Sequence, residues 1–247
     1  MDAFRVMTYN VRGLQDDLAT LARVVRAADP DVLCVQESPR LWRWRSRCAR
    51  LARECGLTYV SGGGTSAGTV VLANLRVRVD RTRADLLSAS PRLHRRGFAS
   101  AVLERQDVRM RVTSIHLGLD QDERRRHAGE LLVALPPDGG LAYDVVAGDF
   151  NEAPGSPAWA MLIEAGFTDL AGPVARPTFP ARRPQHRIDT VLARPRPDGM
   201  VGADVPVELG AWAAPNPVEA ATDHLPVVAD LPLVPAGQAS PSARRGR

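Results

Sequence analysis

The chain has 247 residues, 45% hydrophobic and 24% charged, with a formal net charge of +4. That length and apolar content support one large or two small domains with a sizeable core and exclude a disordered or low-complexity protein. No lysine is present, so all 32 basic residues are arginine; coding bias explains this, and the mild positive balance permits an anionic substrate without requiring one.

Three cysteines, Cys34, Cys48 and Cys55, make no disulfide framework. Cys48 and Cys55 fall on one expected helix, roughly 10 Å apart and too far to bridge. A reducing, cytoplasmic setting is therefore expected. "MDAFRVMTYN" reads as a strand rather than a signal, and no apolar run approaches the roughly 20 residues of a membrane span.

In chain order, "FRVMTYNV" at 4–11 is the first strand, with apolar groups on both faces, as in a sheet covered on both sides. Residues 15–28 carry Leu18, Leu21, Val24, Val25 and Ala28 at helical spacing, and Asp29-Pro30 ends that helix. "DVLCVQE" at 31–37 is a second buried strand. A helix is expected over 41–55, with Trp44, Cys48, Leu51 and Cys55 as its apolar stripe and Arg40, Arg43, Arg47 and Arg50 on another face, which reads as solvated surface or, as the lesser alternative, a phosphate contact. "SGGGTSAG" at 61–68 reads as a mobile loop; it lacks the Lys-Ser/Thr ending of a phosphate-binding P-loop.

Further strands are expected near 57–61, 68–74, 76–82, 97–105 and 107–116, then a helix at 121–134 and the strand "DVVAGDFN" at 144–151. A helix over 156–165 starts at Ser156-Pro157, a cap followed by a first-turn proline. Strands near 187–193, 204–209 and 225–233 complete a domain spanning 1–234, and the Pro/Gly/Ser/Arg-rich stretch 235–247 reads as a disordered tail. Many strands with a few interspersed helices argue for one α/β domain with two packed sheets.

Polar residues collect where these strands end. Asn10 closes the first strand, Glu37 the second, His116 closes "MRVTSIHL", and Asp149 and Asn151 close "DVVAGDFN". Asp189 interrupts "RIDTVLA", and Asp223-His224 precedes the last strand. Each alone reads as a turn or a satisfied hydrogen bonder. Together they mark a site, because open α/β sheets collect sites at strand ends. Zinc spacing and a Gly-x-Ser-x-Gly elbow are both missing. What remains is hard oxygen ligands beside Asn and His donors, a set that favours Mg²⁺ or Mn²⁺ and suits attack of water on a phosphate ester.

"TYNVRG", "VQE", "SIHL", "GDFN", "RIDTVL" and "TDHLPV" resemble, in order, the motifs of the endonuclease/exonuclease/phosphatase superfamily, over about Phe4 to Leu231. That family includes deoxyribonuclease-I-like and exonuclease-III-like nucleases, neutral sphingomyelinases and inositol polyphosphate 5-phosphatases. The resemblance implies a four-layer α/β/β/α sandwich of two mixed β-sheets and a Mg²⁺-dependent phosphoesterase, with Mn²⁺ as a substitute. It implies Glu37 as the principal metal ligand, with Asn10 and Asp223 close to the metal. Asp149 resembles the carboxylate that positions or deprotonates the attacking water, and Asn151 the donor to a phosphoryl oxygen. His224, oriented by Asp189, resembles the imidazole of an Asp-His pair acting as base or electrostatic stabiliser; His116 resembles a second histidine on the scissile phosphate. Arg124 and His127, on the helix after "HL", read as structural.

Some features depart from the pattern. None of Tyr9, Tyr59 and Tyr143 stands where repair nucleases of the family carry a catalytic tyrosine; that region reads "HRRGFAS", and Arg96 there is a phosphate-binding candidate. Thr190 stands where many relatives have an aromatic, and no basic, aromatic-rich insertion is present to wedge into a duplex. A generic member acting on a phosphodiester is therefore expected rather than an abasic-site repair enzyme. The substrate stays divided between nucleic acid and a small phosphorylated molecule or lipid head group. A non-catalytic nucleic-acid-binding module is disfavoured because no metal or base position is lost. A monomer is expected.

Overall fold

A computed structural model describes residues 3–172, 176–195 and 218–233. Its described strands form two mixed sheets. The first contains β1 (Ala3–Asn10), β2 (Val32–Gln36), β3 (Thr58–Gly62), β4 (Val70–Ala73) and β11 (Val227–Pro232), in the order β11-β1-β2-β4-β3. The second contains β5 (Arg78–Leu86), β6 (Gly97–Arg105), β7 (Val108–His116), β8 (Tyr143–Asp149), β9 (Thr168–Asp169) and β10 (Asp189–Pro195), in the order β5-β6-β7-β8-β10-β9. Helices α1 (Leu18–Ala28) and α2 (Trp44–Cys55) cover the first sheet, and α3 (Gln121–Ala134) and α4 (Pro157–Glu164) cover the second.

Strand alternation builds the four layers. Phe4 and Val6 of β1, Val32 and Cys34 of β2, and Val145 and Ala147 of β8 join one core between the sheets. The intervening Met7, Leu33 and Val35 pack under α1 and α2, while Val146 packs under α3 and α4. These strands read as continuous apolar runs because both faces are buried. The result is the α/β/β/α sandwich, with helices outside.

Boundaries differ from expectation for local reasons. α1 starts at Leu18 rather than near 15, because Asp17 caps it by accepting from Ala19 N at 2.9 Å. α2 starts at Trp44 rather than 41, because Arg43 is left-handed at φ 55° and leaves Leu41 and Trp42 outside the helix. The glycine-rich stretch 61–68 is packed rather than loose: a Cβ at Gly63 would come within 2.4 Å of the Trp44 ring, and one at Gly64 within 2.6 Å. The two-residue strand β9 was not expected. The expected strand at 204–209 and the tail from 235 lie outside the described residues.

Candidate active site

Each sheet contains one parallel pair, β1 with β2 and β7 with β8. Their C-terminal ends carry the polar residues, and the antiparallel neighbours β11 and β10 begin at the same edge. Asn10 ends β1, and Glu37 follows β2. His116 and Asp149 end β7 and β8 directly opposite one another, and Asp189 opens β10 opposite Asp149. Asp223 and His224 lead into β11. Topology alone thus brings residues from positions 10 to 224 to one edge.

A cleft of about 700 Å³ opens there, lined by Glu37, Arg96, His116, Asp149, Asn151, Asp223 and His224 among others. Asn10 and Asp189, each 1% exposed, stand directly behind this lining. Every residue expected at the site is therefore in the cleft wall or in contact with it.

Asn10 ties the two halves together. Its Nδ2 donates to Glu37 Oε1 at 3.1 Å and to Asp149 Oδ2 at 3.0 Å, and its Oδ1 accepts from Arg12 N at 3.0 Å. In this orientation the amide bridges two carboxylates. Glu37 is left-handed at φ 53°, a costly conformation for a residue with a long side chain. Two backbone hydrogen bonds hold the turn: Gly13 N to Glu37 O at 2.8 Å and Ser38 N to Gly68 O at 2.8 Å. Asn151 is also left-handed, which asparagine tolerates well. Its backbone N–H donates to Asp149 Oδ1, and one of its two amide hydrogens goes to Leu117 O at 2.9 Å, leaving the other for the cleft.

His224 Nδ1 lies 2.9 Å from Asp189 Oδ2, and its Nε2 lies 3.8 Å from Asp149 Oδ2. Burial disfavours the imidazolium, but Asp189 opposes it by charge and hydrogen bond, with Asp149 and Asp223 adding to the effect; the pKa is pushed up to about 9. Burial, with the neighbouring Asp189 charge, raises the Asp149 pKa, and the His224 charge pulls the other way. His116 is the opposite case. Burial first, then the Arg96 charge, holds its pKa well below the ordinary imidazole value. Arg96 Nη1 lies 3.0 Å from His116 Nδ1. A guanidinium can only donate, so His116 Nδ1 accepts and its proton sits on Nε2, 3.5 Å from Asp149 Oδ2. Arg96 is itself driven toward a lower pKa by burial.

Sequence reading missed two supports. Thr178 Oγ1 donates to Asp189 Oδ2 at 2.6 Å, so that oxygen serves both the hydroxyl and the imidazole. The Phe179 ring lies 4.8 Å from the His224 ring. Both residues sit in irregular chain with no periodicity to flag them; the available signal was that a buried Asp189 needs a second donor. Arg124 and His127 are structural ties, as expected: Arg124 pairs with Glu152 at 2.8 Å, and His127 Nε2 meets Ser88 O at 2.9 Å.

The donor set fits a hard divalent cation. Four carboxylates, Glu37, Asp149, Asp189 and Asp223, meet at one edge. Glu37 and Asp223 are half-buried and face the cleft, where oxygen ligands suit Mg²⁺ or Mn²⁺. Asp149, Asp189 and His224 also offer atoms within 4.8 Å of one another. Asp189 Oδ2 is already engaged by His224 and Thr178, so this triple reads as an acid–base group, and Glu37 as the better anchor for an ion.

The model of the Endonuclease/Exonuclease/phosphatase family matches residues 7–224. No curated protein matches the chain. Among solved structures, the chain resembles an endonuclease/exonuclease/phosphatase from Bacteroides vulgatus at a TM-score of 0.72 and 16% identity, covering 95% of this chain and 100% of that one. It resembles a mannosyl-6-phosphatase from Bacteroides thetaiotaomicron at 0.70 and 14%, covering 91% and 98%. D. rerio TDP2 complexed with a single-strand DNA product matches at 0.65 and 16%, covering 93% and 99%. At these identities the likeness concerns the fold.

Proposed function

The chain belongs to the endonuclease/exonuclease/phosphatase family, and from that premise we propose that it is a divalent-metal-dependent phosphoesterase cleaving a phosphodiester by attack of water. One observation carries the reading: Glu37, Asp149, His116 and His224, from four separate parts of the chain, line one cleft, with Asn10 bridging Glu37 to Asp149.

A divalent cation held by Glu37, with Asn10 and Asp223 beside it, would neutralise charge developing on the phosphoryl and leaving oxygens. The chain's own groups divide the remaining work. Asp149 Oδ2 is the oxygen facing both imidazoles, and its raised pKa suits a group that accepts the proton of the attacking water. Protonated His224, fixed through Nδ1 by Asp189, presents Nε2–H to a phosphoryl oxygen. Neutral His116 presents a second Nε2–H, oriented by Arg96, and the free amide hydrogen of Asn151 is a third donor. These donors are held in place before substrate arrives, so little reorganisation accompanies charge build-up.

Nucleic acid and a small phosphorylated molecule or lipid head group are both compatible with this cleft; the fold's relatives include a mannosyl-6-phosphatase and a TDP2 bound to a single-strand DNA product. The test is a panel of DNA, RNA, bis-p-nitrophenyl phosphate and phospholipid, with Mg²⁺ or Mn²⁺ and Glu37→Gln as the blank. Metal-dependent cleavage of at least one ester, lost in the blank, is expected. Cleavage of none refutes the proposal. A steep loss of affinity with salt marks a polyanionic substrate, because phosphate contacts release counterions.

A further inference from the structure

We propose that the rim of the cleft docks on an anionic phospholipid membrane, bringing a lipid head group to the catalytic edge; the head-group part rests on the phosphoesterase reading above, and the docking does not.

The rim exposes apolar side chains that a water-facing mouth does not need. Leu41, on the loop between β2 and α2, is 80% exposed, and Leu119, between β7 and α3, is 74% exposed; both line the cleft. Trp42 adjoins Leu41 and is 84% exposed. Leu93, beside the cleft-lining His94 on the loop between β5 and β6, is 44% exposed. Three separate loops thus carry large apolar groups to one opening. Scattered exposed leucines need no explanation, but leucines and a tryptophan gathered around one mouth mark an interaction surface.

The charges of the same loops identify the partner. Arg40, Arg43, Arg45, Arg92 and Arg95 are exposed and form no ion pair with a carboxylate among the described residues. Arginines on the β5–β7 edge behave differently: Arg78 pairs with Glu104, Arg81 with Asp138, Arg83 with Asp85 and Arg109 with Asp80. The arginines beside the apolar tips therefore keep their charge unpaired among the described residues, as Arg23 and Arg26 on α1 and Arg125 on α3 also do. Arg43 and Arg45 lie over indole rings instead, 5.6 Å from Trp42 and 4.3 Å from Trp44. Asp120 and Asp122 follow Leu119, and Asp120 caps α3 by accepting from Glu123 N at 2.9 Å. Tryptophan and leucine at the water–lipid boundary, ringed by unneutralised arginines, match an anionic lipid surface. A single-stranded polynucleotide would use the arginines and Trp42 but has no role for three protruding leucines.

The test is flotation of the full chain with vesicles in EDTA, which reads docking without hydrolysis. Vesicles of pure phosphatidylcholine are compared with equal parts phosphatidylcholine and phosphatidylglycerol. The expected result is binding to the anionic vesicles only, weakened by salt. Trp42→Ala with Leu93→Ala should lower partitioning about tenfold, as expected for losing two partly inserted side chains. Leu75→Ala, at a residue 88% exposed that does not line the cleft, should leave it unchanged. Absence of vesicle binding, or equal binding by the double variant, overturns the docking surface. Binding of a single-stranded oligonucleotide in place of vesicles overturns it in favour of nucleic acid. Hydrolysis of bis-p-nitrophenyl phosphate, measured separately, distinguishes the two claims. If that ester is cleaved and vesicles are not bound, only the docking fails. If vesicles are bound and none of the panel esters is cleaved, the phosphoesterase reading fails.

Discussion

His224, in the cleft wall, has its Nδ1 2.9 Å from Oδ2 of Asp189 behind it, so the imidazole ring is fixed with Nε2 facing the site. Asp189→Asn removes the charge that raises the imidazole pKa while keeping the shape. We expect the His224 pKa, followed by NMR in EDTA, to fall from about 9 toward or below the ordinary value. Turnover should fall about a thousandfold, the scale of a lost acid–base or charge-stabilising group. An unchanged His224 titration in this variant would disprove the pairing.

Stability of the metal-free protein should decline with rising pH. Both Asp149 and His224 hold protons more tightly folded than unfolded. For His224, whose folded pKa is raised, the contribution is full below the unfolded value of about 6.5 and disappears as pH rises through about 9. Asp149 acts with the same sign: its contribution is full below an unfolded value of about 3.9 and lost as pH rises through its raised folded pKa. Denaturant titrations in EDTA across neutral to alkaline pH should show a loss on the order of a few kcal/mol. The decline should be smaller in Asp189→Asn.

His116 and Arg96 act as a unit. His116→Ala should lower kcat about a hundredfold or more, as for the loss of one preorganised hydrogen-bond donor to the transition state. Arg96→Gln should lower it less and release the His116 pKa upward, because a positive neighbour is removed. An ¹⁵N spectrum assigns the tautomer: a proton on Nε2 is expected in the wild type, and a proton on Nδ1 would contradict the orientation derived from the 3.0 Å contact.

Gly148 precedes Asp149 for a packing reason. A Cβ there would lie 2.0 Å from the backbone oxygen of Ile115 on the neighbouring strand. Gly148→Ala should cost roughly 3 kcal/mol in urea denaturation, the upper range for overpacking, because backbone cannot yield as a side chain does. It should also lower activity, since β7 and β8 end in His116 and Asp149.

Much of this was legible in the sequence because a polar residue terminating a doubly buried strand needs a partner. Asn10, Glu37, His116 and Asp149 announce themselves in that way. The four layers were legible from Phe4, Val6, Met7 and Val11, which alternate yet are apolar on both faces. Thr178 and Phe179 were not legible, since nothing in an irregular segment records which side chain lies opposite it. Nor was the rim: the helix was expected from residue 41, whereas the left-handed Arg43 turns Leu41 and Trp42 out into water. Hydrophobic periodicity sees neither a backbone turn nor which apolar residues the fold leaves uncovered.

The most direct measurement is hydrolysis of bis-p-nitrophenyl phosphate by the wild type and by Asp149→Asn, with EDTA and then with added Mg²⁺ or Mn²⁺. Turnover that requires the divalent ion and falls about a thousandfold in the variant is the predicted result. Turnover undiminished by EDTA or by Asp149→Asn would contradict the account.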